Sequence, residues 1–209
     1  MIKRMLFRPW MLLMLALGVA LPAAAAPASS PDGLIQQLSS EVIDAVKADA
    51  EIQAGNINKI MALVDSRLMP YVNFPRMTAI AVGRPWRAAT PAQRQKLQDE
   101  FKTLLVRTYA GALTQVKDQT VQVRPPRMAA DDTDVVVRTA IKGTGDAIQL
   151  DYRLEKSDSS WRIYDVNVLG VWLADTSFKS QFSPIAANQG IDALITRLQE
   201  LNRKAAAGG

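Results

Sequence analysis

The sequence predicts an α+β fold, in which a curved antiparallel sheet of about four strands packs against several helices. Three observations carry this. Helical apolar spacing with helix caps runs from Pro31 to Lys117, and alternating apolar and polar residues between turn sequences run from Thr120 to Leu169. The stretch Trp161–Phe182, WRIYDVNVLGVWLADTSFKSQF, then changes from strand to helix across Gly170. Val171, Trp172 and Leu173 stand where a turn is normally polar, so something must cover them, either the core or a hydrophobic ligand.

The beginning of the chain reads as an export signal. Lys3, Arg4 and Arg8 form a positive segment, Met11–Leu21 is an apolar run, and Ala23 to Ala26 supply the small residues of a cleavage site. A cut after Ala25 avoids leaving Pro27 at the new terminus. The run is shorter than the roughly 20 residues that a membrane span needs. Residues 1–25 are therefore read as a signal peptide and 26–209 as a single domain, with a helical part (31–117), a sheet (120–169), C-terminal helices (174–203) and a disordered tail (205–209). Cleavage removes three of the 25 basic residues and none of the 20 acidic ones, which lowers the formal net charge from +5 to +2. So modest a charge on an exported chain argues against a nucleic-acid partner. The sequence has neither cysteine nor histidine. Disulfides, Cys or His catalysis, the common zinc sites and Ser-His-Asp chemistry are thereby excluded.

Ser30 and Pro31 open the first helix, as N-cap and as a residue whose missing N–H costs nothing there. Leu34, Ile35, Leu38, Val42 and Val46 follow at helical spacing, up to Gly55. Asn56 caps a second helix with Ile57, Ile60, Met61, Val64 and Leu68 on one face, stopped by Pro70. A short third helix runs from near Phe74 to Gly83. Met77, Ile80, Ala81 and Val82 leave it apolar around most of its circumference, which suits burial or a cavity wall. Arg84, Trp86 and Arg87 read as a packed tryptophan beside solvated arginines in preference to an anionic headgroup site.

Thr90, Pro91 and Gln93 form a capping box for a long helix to about Val116. Leu97, Phe101, Leu104, Leu105, Thr108, Tyr109, Ala112 and Val116 share one side of it, and its length suggests that it lies across the sheet. The strands are Thr120–Arg124, Thr133–Lys142, Ala147–Lys156 and Trp161–Leu169, joined in the latter part by short turns that make neighbours antiparallel. Ile148, Leu150, Tyr152 and Leu154 alternate with Gln149, Asp151, Arg153 and Glu155, so one face is dry and one wet. A helix carrying Phe178 and Phe182 is kinked or restarted by Pro184 and stopped by Gly190. The last helix carries Ile191, Leu194, Ile195, Leu198 and Leu201.

Few residues could carry chemistry. Asp131, Asp132 and Asp134 lack the spacing and distal Glu of a calcium loop and read as a solvated turn. Asp165, in an apolar strand beside Tyr164, is either a structural acceptor, the favoured reading, or a perturbed general base. Three function classes stay open on these residues: a soluble lipid carrier, an enzyme working through a buried carboxylate on an apolar substrate, and an interaction factor whose apolar surfaces serve protein partners.

The order GRPWRAATPAQRQKLQDEFKTLLVRTYAGAL (Gly83–Leu113), WRIYDVNVLGVWLADTSFKSQF and the Gly190–Leu201 helix resembles the MlaC family of periplasmic phospholipid-binding proteins, also called toluene-tolerance proteins. The matching positions are Gly83, Trp86, Arg87, Phe101, Leu105, Arg107-Thr108-Tyr109, Tyr164-Asp165-Val166, Gly170 and Phe182. The chain departs from the pattern at Trp172, at Ser177-Phe178-Lys179 and at Pro184. The resemblance implies a cone similar to nuclear-transport-factor-2-like folds with an added helical part. It also implies a non-enzymatic periplasmic shuttle without cofactor. Such a shuttle exchanges phospholipid between an outer-membrane lipoprotein complex and an inner-membrane ABC transporter with a lipid-binding ring, and so maintains outer-membrane lipid asymmetry. It is expected to act as a monomer.

A carrier of this kind needs a dry cavity with the headgroup left outside. The dry strand face, the third helix, the long helix and the Gly170 corner supply candidate lipid-lining residues: Val72, Phe74, Met77, Leu104, Leu105, Tyr109, Leu150, Tyr152, Val166, Val168, Val171 and Leu173.

Overall fold

A computed structural model describes residues 30–143, 145–158 and 160–207. The signal-peptide reading of residues 1–25 falls outside them. Helix α1 (Pro31–Ala48) starts as the cap predicts, with Ser30 Oγ accepting from Gly33 N–H. It ends at Ala48, seven residues before Gly55, because Asp49 adopts an extended conformation and accepts from Glu51 and Ile52 N–H to start the short α2 (Ala50–Gln53). A local side-chain acceptor has outcompeted helix continuation. Asn56 caps α3 (Ile57–Leu63), which widens over Val64–Leu68 before Pro70. Helix α4 (Phe74–Val82) and helix α5 (Pro91–Leu113) follow, and the capping box of Thr90 and Gln93 is present on both sides.

The sheet has five strands in sequential order, β1 (Thr120–Arg124), β2 (Asp134–Lys142), β3 (Ile148–Ser157), β4 (Ser160–Val168) and β5 (Val171–Trp172), all antiparallel. The fifth is unforeseen. Leu169 and Gly170 both have positive φ, +52° and +91°, and so form a tight two-residue hairpin turn where a simple corner into helix is expected. Tyr164 is the extra residue of a bulge, since the register slips between Arg153 and Leu154. A wide helical turn over Leu173–Phe178 then leads into α6 (Lys179–Gln189) and α7 (Ile191–Ala207). Pro184 does not restart the helix, because α6 runs through it. The Ser180 carbonyl that loses its donor lies on the exposed side, where water can replace it. Ala205–Ala207 continue α7 where a disordered tail is expected, in keeping with the helix propensity of alanine.

Two further expectations change. Helix α5 does not lie across the sheet; it packs chiefly on α7 and also touches α3 and α4. Its Leu97, Phe101 and Leu104 meet Leu194, Ile195 and Leu198 of α7 in one core with Phe74, Met77, Phe178 and Phe182. The amphipathic α7 thus supplies the apolar partner that the sheet was expected to provide. Helix α1 covers the sheet instead, with Leu34, Ile35 and Leu38 against Val135, Val137, Leu154, Trp161 and Ile163. The supposed wet face is also not wet along its length. Asp151, Asp165 and Asn167 are all buried there, because the Leu173–Phe178 turn folds back onto β4 and β5.

Gly83 closes α4 at φ +75°, and a Cβ built on it would lie 2.8 Å from Ser183 Oγ of α6. Gly83→Ala is expected to cost about 1–2 kcal/mol, mostly from the left-handed backbone. Urea unfolding checks this, and Ser183→Ala in the same chain should recover only the smaller, steric part.

Candidate functional site

Helix α4 is tied to the sheet through polar contacts. Asn73 accepts from Arg76 N–H at 3.0 Å and donates through its amide to Glu155. Arg76 pairs with Glu155 and with Asp134 Oδ2 at 3.2 Å, and its guanidinium lies 3.5 Å from the centre of the Tyr164 ring. The Tyr164 hydroxyl donates to Asp134 Oδ1 at 2.7 Å. Asp134 thus does structural work where the sequence suggested a solvated turn. Just before α4, Val72 bridges to Ile163 of β4, and Asn73 N–H donates to the Ile163 carbonyl at 2.8 Å.

Asp165 is fully buried. Its Oδ1 accepts from Val166 N–H at 2.9 Å and Ala174 N–H at 2.8 Å, and its Oδ2 accepts from Asp175 N–H at 3.2 Å. Arg153 Nη1 lies 3.6 Å from Oδ2 and 3.2 Å from Asp175 Oδ2, and Lys179 holds the other Asp175 oxygen at 3.0 Å. Burial pushes the Asp165 carboxyl up from its ordinary range, while the three N–H groups and Arg153 act the other way. A group so enclosed is the structural acceptor of the two readings, and it starts the Leu173–Phe178 turn much as an N-cap would. Trp172 faces the same side: it pairs with Asn167 across the hairpin, and Arg153 stacks 4.1 Å from its ring centre.

The twelve candidate lining residues fall into three groups. Phe74, Met77 and Leu104 are buried in the helical core, with Val72, Leu105, Val166 and Leu173 packed against it. Tyr152 packs against the core under α1, and so do Val72 and Val166, which touch both cores. Leu150, Val168, Tyr109 and Val171 belong to neither. Leu150 and Val168 are half-buried cross-strand partners, Tyr109 is half-buried on α5, and Val171, opposite Val168, is 44% exposed. Register places Leu150, Tyr152, Val166 and Val168 on one face. An apolar strip therefore leads from the junction of the two cores to an exposed end marked by Ile148 and Leu169, which are 47% and 70% exposed. Sequence reasoning did not single out Ile148 or Leu169 for this strip. The alternation of β3 put Ile148 on its dry face without marking it as lining, and the exposure of Leu169 follows from the hairpin.

Phe101 packs edge-on against Phe178 and Phe182 at centroid distances of 4.9 and 5.4 Å, and closes the helical side. Among the described residues no cluster of His, Cys, Asp or Glu could hold a metal ion, and no helix is long and apolar enough to cross a membrane.

The architecture is an antiparallel sheet with helices over part of one face and an apolar strip on the remainder of that face. The sequence profile described as "MlaC protein" matches residues 36–200, and the chain belongs to the MlaC family. It is 28% identical over 176 residues to the intermembrane phospholipid transport system binding protein MlaC of Haemophilus influenzae, covering 82% of each chain. It is likewise 28% identical over 181 residues to the toluene tolerance protein ttg2D of Pseudomonas putida, covering 86% of this chain and 83% of the relative. Among solved structures, the phospholipid-binding protein of Ralstonia solanacearum in complex with a phospholipid superposes with a TM-score of 0.81 at 43% identity. The match covers 85% of this chain and 99% of that one.

Asp165→Ala removes one acceptor from three backbone donors and one partner from Arg153. It is expected to destabilise the protein by about 3–5 kcal/mol, read as a lower midpoint of thermal or denaturant unfolding. The tyrosines give an alkaline signature. Burial pushes Tyr152 and Tyr164 up from 10.0 to about 12, so the folded state favours their neutral form. Their contribution to stability is complete below pH 10 and is lost as pH rises from there through about 12. In Tyr152→Phe the alkaline loss of stability should be shallower than in the parent.

Proposed function

We propose that this chain is a periplasmic phospholipid carrier, exported by residues 1–25 and folded from 26–209 as one domain. In this reading the acyl chains lie along the strip from Val166 to Val168, between the sheet and α5. The observation that carries the reading is the strip itself: Leu150, Tyr152, Val166 and Val168 share a face that α1 covers only at its other end. The half-buried Leu105 and Tyr109 lie on an α5 that packs elsewhere. Burial pushes the Tyr109 hydroxyl up from its ordinary value, as suits a side chain in apolar surroundings. The family membership and the phospholipid-bound Ralstonia relative support the same ligand class.

The energetic reason for such a carrier is simple. Exposing one CH₂ to water costs roughly 0.8 kcal/mol, so an acyl chain of about 16 carbons costs on the order of 12 kcal/mol. Lipid does not cross water at a useful rate without cover. The headgroup stays at the exposed end, where no charge needs burying.

The carrier exchanges lipid with an outer-membrane lipoprotein complex and with an inner-membrane ABC transporter bearing a lipid-binding ring, and so maintains outer-membrane lipid asymmetry. It has no catalytic step of its own. Asp165, the carboxylate that the sequence offers as a possible base, is held by backbone N–H groups and Arg153.

Protein purified without detergent should yield phospholipid on organic extraction and mass spectrometry. Leu105→Asp and Val168→Asp should each lower that loading several-fold while circular dichroism shows a folded chain. Unchanged loading in both variants would remove the acyl chains from this strip.

A further inference from the structure

Four large hydrophobic side chains are exposed among the described residues, and three of them, Ile148, Leu169 and Val171, meet at one end of the sheet. Ile148 opens β3, Val171 opens β5, and Leu169 stands in the turn between β4 and β5. The Leu169 N–H donates to the Gln149 carbonyl at 3.3 Å, which sets the hairpin tip beside the start of β3. The fourth, Met128, lies in the connection from β1 to β2, toward the other end of the sheet.

Leucine at position 169 is unfavourable twice over. Its φ of +52° lies in the left-handed region, where a two-residue hairpin turn favours Asn or Asp before Gly. Its side chain, the most exposed of the four, gains nothing from the core. The other non-glycine residue with positive φ among those described is Asp158, whose short polar side chain tolerates that backbone. Since neither the turn nor burial accounts for Leu169, its use lies outside the fold. Three features select what meets it. The tips adjoin Val168 and Leu150 at the half-buried end of the strip, so an apolar phase set against them is continuous with the apolar face. The side chains project from turns and strand starts, and their apolar area of at most about a few hundred Å² falls short of the roughly 800 Å² per partner in a stable protein interface. The exposed charges on the same rim, Lys117, Asp118, Lys142 and Asp146, sum to zero, so attraction there is not electrostatic.

We propose that this end of the sheet docks directly on a lipid bilayer, with Leu169, Ile148 and Val171 inserted among the uppermost acyl carbons. A bilayer accepts protruding aliphatic side chains without a matching pocket, and it needs no net charge on the protein. The inference rests on the carrier reading for its purpose, because acyl chains that pass from the bilayer straight onto the strip avoid exposure to water. Three partly exposed aliphatic residues hold more weakly than the roughly 10⁴ M⁻¹ of a single myristoyl chain. Docking is therefore reversible, as a shuttle requires.

The test sediments phosphatidylcholine vesicles at millimolar lipid with the full mature chain and reads the bound fraction. The parent should bind, with a partition coefficient that changes by less than about twofold between low and high salt. Leu169→Asn and Ile148→Thr should each bind about tenfold more weakly, and Met128→Ser should bind like the parent. Asparagine suits the left-handed backbone better than leucine, so Leu169→Asn should also raise the urea midpoint. Weaker binding in a more stable chain separates docking from a structural role. A parent that stays in solution overturns the proposal, and so does equal binding by Leu169→Asn. Binding confined to phosphatidylglycerol vesicles and abolished by salt also overturns it, as does self-association of the parent that Leu169→Asn removes without any vesicle binding. The carrier reading is judged apart from this, by the phospholipid extracted from the parent purified without detergent.

Discussion

Everything around the Gly170 corner depends on one carboxylate kept away from water. Asp165 leaves bulk solvent at a cost that only several simultaneous partners can offset. The backbone N–H groups of Val166, Ala174 and Asp175 and the guanidinium of Arg153 supply them. Because those partners come from β4, from the turn after β5 and from β3, satisfying the charge fixes three segments at once. The tight hairpin at Leu169 and Gly170 becomes obligatory once the chain must return to offer Ala174 N–H. The apolar Phe178 and Phe182 are then delivered to the helical core.

A second constraint follows from how the apolar faces are matched. The helical core and the core under α1 are separate groups of buried side chains, and Val72 and Val166 touch both. Helix α5 satisfies most of its apolar face on α7, and α1 satisfies one end of the sheet. The other end keeps Leu150 and Val168 half-buried and Ile148 and Val171 exposed. A monomeric domain rarely leaves a contiguous apolar strip without a use for it. The hairpin turn adds to that strip, since Leu169 holds a left-handed backbone that leucine disfavours and is exposed as well.

The polar residues divide by depth. Arg76, Glu155, Asp134 and Tyr164 fasten α4 to the sheet, and Arg153, Asp165, Asp175 and Lys179 fasten the corner. Both networks are closed on themselves.

The sequence by itself determined the α+β class, the helix caps at Ser30, Asn56 and Thr90, the first four strands and the family, because these rest on local spacing, capping chemistry and residue order. Asp165 also read correctly as an acceptor, since a lone carboxylate in an apolar strand needs partners. The partners themselves were not legible, because Ala174, Asp175 and Arg153 reach Asp165 only after the hairpin closes. Nor could spacing say that α5 would pack on α7 and leave the sheet to α1. Both surfaces offer the same kind of apolar stripe, and only competition among all the faces in three dimensions decides which pair. The same competition divided the candidate lining residues. Phe74, Met77 and Leu104 went into the core, and Leu150, Val168 and Tyr109 were left half-buried outside both cores, a distinction that hydropathy alone does not encode.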